Sequence, residues 1–259
     1  FDLKAMTLTG NLSVTAGGAV TDSGTLVVPG TATISASGQA VTLDQAASNF
    51  GTIAITGANV AVTDTNALIL GAATVSGTYA ITAGGALTDS GTQEITGATT
   101  ISASGQAVTL DTSTNNFAAA VGITGANVAV TDEDAIDLGA STVSGTYGIT
   151  ATAGDITDSG VLAITGATTL TAASGQSITL DSASTYSSTV AFSSGGTLAN
   201  VTIDDSTVLD LAALTLSGNL SVTSGGNITD SGVLNITGTS SFTTDVSNST
   251  ITLNNTNIL

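Results

Sequence analysis

The chain has 259 residues and a mass of 24.8 kDa, with 19 Asp and Glu against a single basic residue, Lys4, and a formal charge of −18. The absence of His, Cys and Trp removes the imidazole base, the thiolate nucleophile and the ordinary zinc, haem and iron–sulfur ligand sets. One lysine cannot build the basic footprint that grips a phosphate backbone, so nucleic acid is excluded as a partner. Hydrophobic residues at 41% against 8% charged separate the chain from disordered sequences and point to a thin core of Ala, Val, Ile and Leu.

The chain opens on FDLKAMTLTG, without the basic and then apolar stretches of a secretion signal. The same phrase returns as LDLAALTLSGNLSVT at 209–223, so the opening reads as the tail of a preceding repeat and the chain as an interior piece of a longer protein. No apolar run reaches the ~18 residues of a membrane-spanning helix.

Four long repeats follow, at roughly 6–72, 73–140, 141–213 and 214–259, marked by TDSG at 21–24, 88–91, 157–160 and 229–232 with spacings of 67, 69 and 72 residues. Each divides into sub-repeats of 20–30 residues headed by an apolar anchor. The anchors are Val14, Ile34 and Ile55 in the first, Ile81, Ile101 and Ile123 in the second, Ile149, Leu170 and Phe192 in the third, and Val222 and Phe242 in the last. A hydroxyl residue follows every anchor, and a second column of Thr (Thr21, Thr42, Thr63, Thr88, Thr109 and onward) follows a second apolar residue. Alternating apolar and polar β-branched residues indicate half-buried strands. Their recurrence every ~20–25 residues indicates an all-β solenoid, in which each coil pairs with its neighbours. Counting anchors predicts about eleven coils, three per long repeat, in one unbroken segment 1–259. Phe50, Phe117 and Tyr186 align, as do Tyr79 and Tyr147, and are expected to fill the wider corner of their coils.

The phrases GNLSVTAGGAVTDSG, TLTAASGQSITLD and TGANVAVTDTNALILGA resemble the repeat arrays of filamentous-haemagglutinin-like, two-partner-secreted bacterial surface adhesins. The resemblance covers essentially the whole chain, although the NPNG-like and NPNL-like motifs of that family's secretion domain are not visible. It implies a right-handed parallel β-helix, exported from a Gram-negative cell and displayed at the cell surface or in the extracellular matrix as part of a long fibre. Neither end shows an obvious polar cap over its open strands, so neighbouring repeats are expected to continue the rod or identical subunits to stack end to end; host, cell or matrix surface glycans or proteins are the further partners to consider.

An Asp closes nearly every sub-repeat: Asp22, Asp44, Asp64, Asp89, Asp111, Asp132, Asp158, Asp181, Asp205 and Asp230. Stacked coils would set these carboxylates roughly 5–8 Å apart, at about 0.5–1 kcal/mol of repulsion per pair in water. Two readings of the column stand side by side. Oxygen ligands suit Ca²⁺, with Asp132, Glu133 and Asp134 the densest cluster and Asp204–Asp205 the second, which makes weak calcium binding the one cofactor to consider; the calcium nonapeptide GGxGxDxUx is absent. Alternatively each Asp ends a strand and hydrogen-bonds its own turn.

Catalysis is not expected. The adjacent pair Asp204–Asp205 could in principle serve as acid and base on a glycan, but only Lys4 could hold an acidic sugar or steady an oxyanion. An ice-binding face needs a regular Thr-x-Thr array, and the column two positions before the hydroxyls mixes Ser13, Thr33, Ala54, Ala80 and Gly122. A rigid structural and adhesive rod is the expected role. Sequons such as Asn11-Leu12-Ser13 and Asn227-Ile228-Thr229 carry no assigned function.

Overall fold

A computed structural model describes all 259 residues. Every regular element is a short strand, every strand pairing is parallel, and there is no helix. The residues fall into two compact units, Phe1–Ala126 and Asn127–Leu259, each a β-solenoid.

In the first unit one sheet stacks Asp2–Leu3, Val20–Asp22, Val41–Leu43, Val60–Asp64, Tyr79–Ala83, Thr99–Ser102 and Val121–Gly125. A second sheet is built around Met6–Thr7, Leu26–Ser35, Asn49–Gly57, Leu68–Val75, Leu87–Asp89 and Val108–Leu110. Its rungs bend at mid-length: the register of Leu26–Ser35 against Asn49–Gly57 shifts between Val28 and Thr31, at Pro29-Gly30, where proline has no N–H to give the ladder. Two rungs beyond Asn49–Gly57 the bend is a break, and the separate strands Leu87–Asp89 and Gln93–Ile95 both pair with Leu68–Val75. The second unit repeats the plan, one sheet running from Val128–Asp132 to Ile251–Thr252 and the other from Ile136–Leu138 to Ser240–Thr244.

Strand alternation decides which residues enter the core. In Val60–Asp64 and Tyr79–Ala83, residues 60, 62, 64, 79, 81 and 83 are buried while those between face out. Phe50, Phe117, Tyr79, Tyr147 and Tyr186 are 0–1% exposed and lie inside their coils. The SGQ phrases are turns: Gln39, Gln106 and Gln176 donate their N–H to the carbonyls of Ala36, Ala103 and Ala173. Their glycines, Gly38, Gly105 and Gly175, have φ of 70°, 72° and 82°, a conformation that side chains with a Cβ resist.

The coil count corrects the sequence expectation. The first unit has seven rungs on one sheet and six on the main path of the other, and the second unit has six and seven, so the chain makes about thirteen turns rather than eleven. Each long repeat therefore winds about three and a half times, not three. The extra half turn lies where the anchor spacing stretches, as between Ile55 and Ile81. Thr63, expected to stack on Thr88, stacks instead on Thr82, and Thr88 lies on the other sheet beside Ile69 and Thr109. Successive TDSG motifs consequently change sheets within each unit: Asp22 and Asp89 lie on different sheets of the first, Asp158 and Asp230 on different sheets of the second.

Candidate functional site

The Asp column spans exposed, half-buried (Asp89) and buried positions. Asp44, Asp111 and Asp181 are exposed, whereas Asp22, Asp64, Asp132, Asp158, Asp205 and Asp230 are buried, at 0–8% exposure. A buried carboxylate needs donors, and backbone N–H groups at the coil corners supply them.

Asp64, Asp132 and Asp205 hold their own turns. Oδ1 of each accepts the N–H two residues on, from Asn66 (2.9 Å), Asp134 (2.8 Å) and Thr207 (2.8 Å). Asp64 also accepts the N–H of the buried Phe50. The TDSG aspartates reach further, into the next coil. Asp22 accepts from the N–H of Asp44 (3.0 Å) and Gln45 (3.4 Å), Asp89 from Asp111 (3.1 Å) and Thr112 (3.3 Å), Asp158 from Asp181 (2.9 Å) and Ser182 (3.3 Å), and Asp230 from Asn254 (3.0 Å). These carboxylates fasten one turn to the next at the bend of the rung.

A second column completes the corner. Ser48, Asn115, Ser184 and Asn257 accept a backbone N–H from Leu26 (3.0 Å), Gln93 (2.9 Å), Leu162 (2.9 Å) and Leu234 (2.8 Å). Where the residue is Asn, its amide also donates to the TDSG carboxylate: Asn115 Nδ2 lies 2.6 Å from Asp89 Oδ2, and Asn257 Nδ2 lies 2.6 Å from Asp230 Oδ2. Where it is Ser, no such donor reaches the Asp. Electrostatics follow this difference. Burial raises Asp22 above the usual carboxylate range and pushes Asp158 up to about 6, the backbone donors only partly opposing it. For Asp230 burial acts the same way, but Asn257, the Asn254 N–H and Asn255 outweigh it and leave the group lowered.

The amide column was missed from sequence. Its signal is a constant offset: Ser48, Asn115 and Ser184 each lie 26 residues past the TDSG Asp, and Asn257 lies 27 past. A parallel set of turn asparagines escaped notice too. Asn11, Asn59, Asn127, Asn219 and Asn227 accept the N–H of Thr31, Thr78, Thr146, Thr239 and Thr250 at 2.8–3.0 Å. The sequon residues Asn11 and Asn227 are thus corner posts of the solenoid.

The calcium candidates are placed as follows. Asp132 is fully buried and Asp134 is exposed, with Asp134 giving its N–H to Asp132, and the Glu133 carbonyl accepting from Thr152 Oγ1 at 2.9 Å. Asp205 points into the core and Asp204 away from it, as neighbours on a strand must. Burial, reinforced by Asp245 and Asp181, raises Asp204, while burial raises Asp205. The adjacent pair therefore does not converge on one substrate atom or one ion, and no three carboxylates form a group that could hold a metal ion. Lys4 makes an exposed pair with Asp2. An open groove of about 490 Å³ is lined by Ser187, Ser188, Thr189, Thr207, Val208 and Asp210, in which Asp210 accepts hydroxyls from Thr189 and Thr229 on the flanking coils.

No helix is long and apolar enough to cross a membrane. No curated protein and no solved structure matches the chain. A family described as repeats of unknown function, DUF5649, matches it in four successive copies, at residues 1–56, 57–124, 125–193 and 198–258. With nearly every residue inside one of these copies, the chain belongs to the DUF5649 repeat family.

Proposed function

We propose that the chain is a structural module, a stiff non-catalytic spacer in an extracellular, surface-displayed fibre of the filamentous-haemagglutinin-like adhesin kind. The observation that carries this reading is where the polar groups are spent. The TDSG aspartates accept backbone N–H groups of the next turn, which leaves them holding coils together. Continuous parallel ladders and a filled interior resist bending and extension, and repetition lengthens such an element without new design. The acidic surface, with one lysine, keeps neighbouring rods apart. The resemblance of the repeat phrases supports the extracellular setting.

Immunogold microscopy with antibodies raised against residues 1–259 tests the reading on intact cells that make the protein. Gold along surface fibres without permeabilisation is the expected result. Gold that requires permeabilisation overturns it.

A further inference from the structure

The four TDSG corners are built alike, yet one is short of donors. Asp158 is 8% exposed, both of its backbone donors bind Oδ1, and Oδ2 is buried with no hydrogen-bond partner. The equivalent Asp89 in the first unit uses both oxygens, its Oδ2 taking Asn115 Nδ2 and the Thr112 N–H. Among the differences between the two corners, Ser184 stands where Asn115 does, Leu162 where Gln93 does, and Tyr186 where Phe117 does. In the first unit Gln93 occupies the hydroxyl of Tyr79 (3.3 Å) and gives its amide to the carbonyls of Gly71 and Gly91 (2.7 Å each). In the second, no glutamine stands there, and the hydroxyls of Tyr147 and Tyr186 are buried beside Ser141 and Ser184.

We propose that Asp158, with its Oδ2 buried and unpartnered, is a proton-uptake site that tightens this coil when the surroundings turn acid. The step is the addition of one proton from solvent to the carboxylate, taking its charge from −1 to zero. It removes an uncompensated anion from the core while leaving Oδ1 to accept from Asp181 and Ser182. Two carboxylates oppose the anion, Asp181 on Ile178–Tyr186 and Asp137 on Ile136–Leu138; the phenols of Tyr186 and of Tyr147 on Tyr147–Ala151 stay neutral, their own ionisation opposed by burial and by Asp158, with Asp205 on Val201–Asp205 also acting on Tyr186. None of them is a cation. Asp137 itself has a buried Oδ1 without a partner, its Oδ2 taking the Ser159 hydroxyl at 2.7 Å.

The sign follows from linkage. The folded-state value of Asp158, about 6, lies above its ordinary 3.8. Its stabilising contribution is therefore full below about pH 4 and is lost as the pH rises through about 6. This holds whether or not the chain serves as a fibre spacer.

The test is carboxyl NMR titration of the full chain with Asp labelled, beside Ser184→Asn, which supplies the amide donor found at Asp89 and Asp230. In the wild type Asp158 should titrate near pH 6, and in S184N its midpoint should fall by about one unit or more, because a donor to the charged form favours it. A wild-type midpoint in the ordinary carboxylate range, or an unmoved midpoint in a folded S184N, overturns the proposal. Asp158→Asn gives an independent readout through thermal melting at pH 5 and pH 7.5. The fall in melting temperature between the two pH values should be smaller in D158N than in the wild type, and an equal fall in both overturns the proposal.

Discussion

Replacing Asn115 with alanine will destabilise the first unit by roughly 2–4 kcal/mol, because it strips partners from a buried N–H and a half-buried carboxylate at once. Asn115 is 0% exposed; its Oδ1 takes the Gln93 N–H at 2.9 Å and its Nδ2 holds Asp89 at 2.6 Å and the Leu110 carbonyl at 3.3 Å. Alanine leaves the Gln93 N–H in the core without an acceptor and the Asp89 carboxylate short of a donor, and it opens a small cavity. Asn115→Ser copies what the protein does at Ser48 and Ser184, where a hydroxyl still accepts the backbone N–H. It should cost less, about 1–2 kcal/mol, since one of the two roles survives. Urea unfolding gives the sizes, and hydrogen exchange at the Gln93 amide locates the effect: fast in the alanine variant, protected in the serine variant. Equal losses in the two would mean that packing alone matters at this corner.

Gly160→Val, in the third TDSG motif, is expected to cost more than about 3 kcal/mol, at the upper end of what overpacking does, because the overlap is with backbone. A Cβ on Gly160 would lie under 3.0 Å from the main chain of Ala140 and Gly139, on the preceding turn. Gly24, Gly91 and Gly232 press against Ala5, Ala72 and Ala213 in the same way. A side chain here must force two rungs apart, which breaks ladder hydrogen bonds as well as contacts. Gly18 serves as the control, having nothing within 4 Å and no positive φ. Gly18→Ala should leave stability unchanged or raise it by about 0.4–1 kcal/mol through the unfolded chain. Denaturant melts of both variants decide the point.

Much of this architecture is written in the residues, and the part that is not has a physical cause. Alternation such as Tyr79-Ala80-Ile81-Thr82 states which side chains are buried, and recurrence states that coils stack. Similarity between phrases, however, does not say which sheet a phrase occupies. A half turn changes the sheet while preserving the inward and outward order, so the drift of Thr63 from Thr88 to Thr82 is invisible to an alignment of anchors. For the same reason the carboxylates are not one stripe: Asp22 and Asp89 align in sequence and lie on different sheets. The expectation that each Asp holds its own turn describes Asp64, Asp132 and Asp205. It falls short for Asp89, whose partners Asp111, Thr112 and Asn115 lie 22–26 residues away and become neighbours only after the coil closes. The divergence of Asp204 from Asp205 needed no structure, since adjacent residues on a strand face opposite ways.

The central claim is the winding itself, three and a half turns per long repeat, and the absence of native cysteine allows a clean test. Thr63 and Thr82 are register partners on adjacent parallel strands, a spacing within the Cα separation a disulfide accepts, whereas Thr63 and Thr88 lie on different sheets. Under mild oxidation, Thr63→Cys/Thr82→Cys should cross-link within one chain and Thr63→Cys/Thr88→Cys should not, as read by peptide mass mapping. Efficient cross-linking of residues 63 and 88 with none between 63 and 82 would contradict the half-turn winding and restore three coils per repeat.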